Sequence, residues 1–261
     1  MRTSALEWTL RRDRAVVGAG IALVVALAWL YLLLGAGMDM GALREAAERA
    51  MGGGQPLAWT IGYAAIVFVM WAVMMLAMML PSAAPMILLY GTVSRRQREQ
   101  GYASVGTGVF AAGYVVAWTG FSLAATALQW GLERLSLLSP MMASTSDVLG
   151  GVILVAAGLY QMTPLKHACL RHCRSPLSFL VHRWRSGPAG AFRMGLEHGL
   201  FCLGCCWVLM GLLFVGGVMN LLWIAGIAVF VLMEKVAPAG SLIARASGPL
   251  LVAAGGAVLV M

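Results

Sequence analysis

Charge is what this chain has least of. Asp, Glu, Lys and Arg make up 11% of its 261 residues, and 61% are hydrophobic. A soluble globular domain carries about 25% charged and roughly 45–50% apolar residues. A water-soluble fold of this size has no core able to hide so much apolar surface. A soluble enzyme, a disordered tail and a secreted disulfide scaffold are all excluded by that one imbalance. Also missing are an internal repeat, a coenzyme-type glycine fingerprint, an ATP-binding motif and a catalytic dyad, so the chain is not read as an enzyme. Acidic residues are scarcer than basic ones, 10 against 18, which leaves a formal charge of +8. A surplus of that size suits nucleic acid in a polar protein; here the positions of the charges decide its meaning.

What is present in quantity is long apolar stretches. A bilayer core about 30 Å thick needs about 20 mostly apolar residues per helix. Seven stretches qualify or come close: 15–37, 56–90, 103–129, 147–162, 192–217, 219–233 and 247–261. The expected fold is therefore all-α, a polytopic membrane helical bundle of about seven transmembrane helices in one domain, 1–261. Pro81 and Pro85 are expected to kink or end the second stretch. Residues 38–55 read as an external amphipathic segment, and 163–191 as a cytoplasmic loop. The first stretch has a basic flank, but it is too long for a signal peptide and lacks a small-x-small cleavage site, so it reads as an uncleaved anchor.

The basic residues test that topology. Arg2, Arg11, Arg12 and Arg14 precede the first stretch, and Arg95, Arg96 and Arg98 follow the second. Lys166, Arg171, Arg174, Arg183, Arg185 and Arg193 follow the fourth, and Lys235 and Arg245 follow the sixth. With the N-terminus in the cytoplasm, these 15 of the 18 positive charges fall on the cytoplasmic side, leaving Arg44, Arg49 and Arg134 outside. That asymmetry is the positive-inside pattern, and it accounts for the charge surplus without nucleic acid. The localisation it implies is a bacterial inner (cytoplasmic) membrane, multi-pass, with the lipid bilayer as first partner.

Two residue types are then left unexplained, 18 Met and 5 Cys. The second stretch contains MWAVMMLAMMLPSAAPM, in which Met70, Met74 and Met78 share one helical face. Met75, Met79 and Met86 form a neighbouring stripe. Methionine is an adaptable filler between helices, and a packing role explains a single stripe. Six in one span also suit Cu(I), because a thioether is a soft ligand with no charge to desolvate. The fifth stretch contains MGLEHGLFCLGCCWVLM. Met194, His198, Cys202 and Cys205 lie within about 40° of one line on a helix, with Cys206 and Glu197 on either side. Each residue alone is ordinary packing; together they form a soft-metal face. Gly195 and Gly199 are spaced for close helix contact.

The loop TPLKHACLRHCRSP brings His167, Cys169, His172 and Cys173 within seven residues. If it is helical, Cys169 and Cys173 share a face. Lys166, Arg171 and Arg174 are expected to depress the thiol pKa values. Two Cys and two His also suit zinc, so the loop by itself leaves the metal open. By depth, loop, Cys/His face and Met stripe form a ladder of soft ligands from the cytosol to mid-membrane. Met38, Asp39, Met40, Met141, Met142 and Asp147 would extend it outside.

The blocks MWAVMMLAMMLPSAAPM, YQMTPLKHACLRHCRSP and MGLEHGLFCLGCCWVLMGLLFVGGVMNLLWIAGIAVFVLMEK resemble the predicted metal-binding integral membrane proteins related to a bacterial tyrosinase copper chaperone. The resemblance runs from about Trp59 to Lys235, and its last block is the most specific. It implies a protein that binds copper and supplies a client cuproenzyme. The family's blocks fall on Met74, Met75, Met78, Met79, Met86, Lys166, Cys169, Cys173, His198, Cys202, Cys205, Cys206, Glu234 and Lys235. The expectation is thus a Cu(I) chaperone or relay in contact with a client or other membrane subunits. Its rivals are an intramembrane thiol–disulfide oxidoreductase using the five cysteines, a scaffold whose Met and Cys only pack, and haem ligation through His198.

Overall fold

Proline and glycine decide where this chain bends and where its helices touch. A computed structural model describes residues 2–37, 59–100, 105–139 and 142–260. It contains helices α1 (Arg2–Leu33), α2 (Ile61–Glu99), α3 (Thr107–Arg134), α4 (Asp147–Gln161) and α5 (Pro164–Arg174). These are followed by α6 (Pro176–Arg183), α7 (Gly187–Gly211), α8 (Leu221–Val236) and α9 (Gly240–Val260). A single turn, Leu213–Gly216, extends α7. Among the described residues there is no strand, only an isolated bridge between Leu138 and Ser144. The segment 38–55 lies outside the described residues, as do Met38, Asp39, Met40 and Met141.

Among the described residues, each of the seven expected apolar stretches contains a helix. Five are long and apolar enough to cross a membrane: Arg14–Leu33, Ile61–Glu99, Thr107–Arg134, Gly187–Gly216 and Gly240–Val260. Taking α4 and α5, bent by 65°, as one broken span makes six. At 15 and 16 residues, α4 and α8 are individually short of a full crossing. The last stretch is longer than expected because the polar run from Gly240 to Gly248 joins it.

Pro81 and Pro85 neither end nor divide α2, which continues for 39 residues to Glu99. The hydroxyls of Ser82 and Tyr114 both donate to the Met79 carbonyl, in the stretch loosened by the prolines. Side-chain hydroxyls and neighbouring helices commonly support the backbone around a proline within an apolar helix. The expected loop 163–191 is also largely helical. Thr163 caps α5 by accepting from the Lys166 amide, and Pro164 starts it. Pro176 does the same for α6.

Packing follows the glycines. On α7, a Cβ at Gly195 would run into the Phe110 carbonyl, and one at Gly199 would meet the Ala117 Cβ at 2.6 Å. Gly113 of α3 answers them against the backbone of Phe192 and Leu196. The expected small-residue contact is therefore the α3–α7 interface. A second glycine zipper joins α4 to α9, where Gly151 faces the Gly255 carbonyl and Gly158 faces that of Gly248. Helix α2 packs against α1, α3 and α8, so its methionines lie at the centre. Met70, Met74, Met75, Met78, Met79 and Met86 are all at most 2% exposed.

Candidate metal centre

The α7 face that the sequence singles out is turned inward. His198, Cys202, Cys205 and Cys206 are buried, as is Met194 one turn before the histidine. The close α3–α7 approach brings the Tyr114 hydroxyl to 3.1 Å from Cys202 Sγ. Helix α2 adds Met79, whose Sδ is 3.8 Å from Cys206 Sγ. The thiols of Cys205 and Cys206 each donate to the Cys202 carbonyl at 3.0 Å. Four sulfurs from two helices thus occupy one buried region.

A fifth sulfur arrives from the amphipathic helix α5. Half-buried Cys173 lies near Cys202 and Cys205. Those two thiols, and burial, push its pKa well above the ordinary value. Cys169 is half-buried beside Gly204, and burial together with Cys205 raises its thiol too. The expected depression of both thiols by Lys166, Arg171 and Arg174 is therefore reversed. Lys166 points to Glu234, at 2.8 Å, and Arg174 donates to the carbonyls of Glu234 and Pro238 at 2.7 and 3.0 Å. Their charge is directed at α8 and not at the thiols.

Those contacts hold α5 in place. Lys166 and Glu234 are 0% and 1% exposed, and Gln161 Nε2 donates both to Glu234 Oε1 and to Ser247 Oγ, at 2.8 and 2.7 Å. A Cβ at position 240 would collide with the Arg174 guanidinium and the Glu234 carbonyl, so glycine is required there. Three helices, α4, α8 and α9, therefore fix the register of α5, and with it the position of Cys173.

The next residue along α8 occupies the sulfur cluster itself. Lys235 is 6% exposed, and its Nζ lies 2.9 Å from Cys202 Sγ and 3.2 Å from Ser82 Oγ. It is 3.7 Å from Cys206 Sγ and 3.8 Å from Met79 Sδ. The sequence counts Lys235 among the loop charges that report topology; the fold sends it inward. Tyr114 and Ser82 were likewise not singled out. The one sequence signal for Lys235 was its place, after Glu234, at the end of an apolar run in the most specific family block.

The remaining candidates divide. The ring of His198 sits among Phe110, Tyr114 and Phe179, with centroids 6.3, 5.8 and 5.6 Å away, and its buried Nδ1 has no hydrogen-bond partner. An unsatisfied buried imidazole nitrogen one turn from Cys202 fits a ligand position. His172 instead stacks on Phe201 at 4.1 Å, its Nδ1 2.9 Å from the Ala168 carbonyl. His167 faces Arg245, Lys166 and Arg171; burial, then those charges, lowers its pKa. Glu197 is held by Arg183, Arg185 and Arg193 at 3.1–3.3 Å, a surface network rather than part of the cluster. His167, His172 and Glu197 are thus not brought to the sulfurs.

Among the described residues no group of three or more His, Cys, Asp or Glu side chains is arranged to hold a metal ion as it stands. The reason is visible in the geometry: an ammonium lies among the sulfurs, and two thiols point at a carbonyl. The donor set still fits a soft ion, since it is made of thiols, a thioether and an unpartnered imidazole.

Against known proteins, residues 68–258 match a family model, PpoB2, described as a copper chaperone. No curated protein and no solved structure matches the chain. The matched region begins in α2, ends in α9, and contains every residue of the cluster. A family of chaperones is not a class of enzymes, and copper is its cargo. The chain belongs to the PpoB2 copper chaperone family.

Proposed function

We propose that this protein is a membrane-embedded Cu(I) carrier that hands copper to a client cuproenzyme. The observation that supports it most is the buried gathering of Cys202, Cys205 and Cys206 of α7 with Met79 of α2, with Cys173 of α5 nearby and five further buried methionines on α2. Cysteine thiolate and methionine thioether are soft donors that suit Cu(I) and disfavour hard ions. Cys173, on a surface helix, takes copper at the cytoplasmic face, and Cys202, Cys205 and Cys206 hold it with Met79 and His198. Met70, Met74, Met75 and Met78 offer thioethers deeper in the bundle, and Met86 and Met194 offer them on its cytoplasmic side. Exchange between two- and three-coordinate sites lets the ion move without a tight trap.

The same reading sets the bundle in a bacterial inner membrane, with seven crossings and the N-terminus in the cytoplasm. Its support is the burial of polar groups inside and the gathering of basic residues on one side. The two short helices, α4 and α8, cross a locally thinned bilayer.

The test is Cu(I) titration of anaerobically purified protein against a chromogenic chelator. The expected result is one tightly held Cu(I), weakened at least about a hundredfold by Cys202→Ser with Cys205→Ser, since even partners of ligands are worth 10- to 100-fold. Met75→Leu with Met79→Leu weakens it less. No Cu(I) binding, or binding unchanged in both variants, overturns the reading.

One observation favours a second reading, thiol–disulfide exchange: Cys173 lies near two cysteines of another helix. Two thiols closing to a disulfide release two electrons and two protons, which a disulfide-class partner would have to accept. A Cys173–Cys202 or Cys173–Cys205 disulfide that forms and is reduced again under turnover would establish it.

A further inference from the structure

We propose that Lys235 is the specificity-determining residue of the sulfur cluster: its ammonium, fixed among the ligands, admits a monovalent soft ion and turns away divalent ones. This rests on the copper reading above and names what selects the ion.

Position is the first support. Lys235 Nζ touches Cys202, Cys206, Met79 and Ser82, so a metal held by the same sulfurs must lie within a few ångströms of a positive charge. The carboxylate beside it in sequence does not neutralise it, because Glu234 is taken by Lys166 and Gln161. The backbone of Glu234 is in turn tied to Arg174, which limits how far the neighbouring Lys235 can withdraw.

Charge is the second. A fixed ammonium repels a dication twice as strongly as a monocation, whatever the number of thiolates. At about 4 Å and an effective dielectric near 20, the extra charge corresponds to roughly a thousandfold in affinity. Neutrality points the same way. Two thiolates, Cu(I) and the Lys235 ammonium sum to zero, whereas two thiolates with a dication are already neutral and leave the ammonium uncompensated in an apolar interior. Zn(II) restores neutrality only by recruiting a third thiolate. Softness alone excludes hard ions but not thiophilic dications, so a residue of this kind gives a discrimination that sulfur cannot.

The experiment uses the full chain in nanodiscs under anaerobic conditions, with Cu(I), Ag(I), Zn(II) and Cd(II) as probes. Wild type is expected to bind Cu(I) and Ag(I) and to leave Cd(II), a soft dication, in solution. Lys235→Met is expected to lower the Cu(I)-to-Zn(II) and Ag(I)-to-Cd(II) affinity ratios at least about tenfold, allowing for screening. Lys235→Arg, which keeps the charge, restores the ratios toward wild type. A purely structural lysine would change both affinities together and leave the ratios where they were. Cd(II) competing with Ag(I) on wild-type protein overturns the inference with no variant needed, while leaving copper binding intact. Unchanged ratios in Lys235→Met do the same. Failure of wild type to bind either monovalent ion overturns the copper reading and the selectivity with it.

Discussion

Two lysines are buried within this bundle, and they live in opposite surroundings. Lys166 meets a carboxylate at 2.8 Å, which is itself held by Gln161. Lys235 meets sulfur and a hydroxyl. The two are adjacent through α8, since Glu234, which binds the first lysine, immediately precedes Lys235. The first cluster is closed: the charges pair, and the pair joins α5 to α8. The second is open: its ammonium lies beside thiols that retain their capacity to bind something else. A saturated charge holds a structure together, and an unsaturated one beside soft ligands marks where the chemistry happens.

That contrast breaks down or sharpens under substitution. The largest effect is expected at the closed cluster. Lys166→Met leaves Glu234 buried without its partner and should cost about 3–5 kcal/mol, read as a lower midpoint of unfolding in detergent. Arg174→Gln removes two charged hydrogen bonds, to the Glu234 carbonyl in α8 and the Pro238 carbonyl just after it, and should cost about 1.5–3 kcal/mol. It also loosens α5, so the Cys173 thiol should become more reactive toward a membrane-permeant alkylating reagent. The smallest effect is expected at the open cluster. Lys235→Met replaces a buried charge with an apolar chain of similar length and should shift stability by less than about 1 kcal/mol, in either direction. If Lys235→Met unfolds the protein as readily as Lys166→Met, the two clusters are alike and the distinction fails.

Much of this was legible in the sequence, for reasons that explain the rest. Apolar length depends only on local composition, so each expected stretch contains a helix among the described residues. The α7 face was legible because four residues at helical spacing share a direction whatever surrounds them, and Gly195 and Gly199 foretold the close approach of α3. Contacts between distant elements were not. Nothing local says that Cys173 comes near Cys202, a placement helped by the Lys166–Glu234 pair and by Gly240. His172 was a ligand candidate by spacing, and the stacking on Phe201 that occupies it comes from another helix. Pro81 and Pro85 were expected to kink or end the helix, and α2 does not end there, with side-chain hydroxyls supporting the backbone nearby. Lys235 was counted as a loop charge because a positive residue after an apolar run ordinarily seeks water; its inward turn follows from the sulfurs opposite it.

The most direct test of the central claim is the copper K-edge X-ray absorption spectrum of the Cu(I)-loaded chain. The account predicts a first shell of two or three sulfurs, with at most one imidazole nitrogen, that loses sulfur in Cys202→Ser and is unaffected by His172→Gln. A shell of nitrogen and oxygen, unaltered by loss of Cys202, would contradict it.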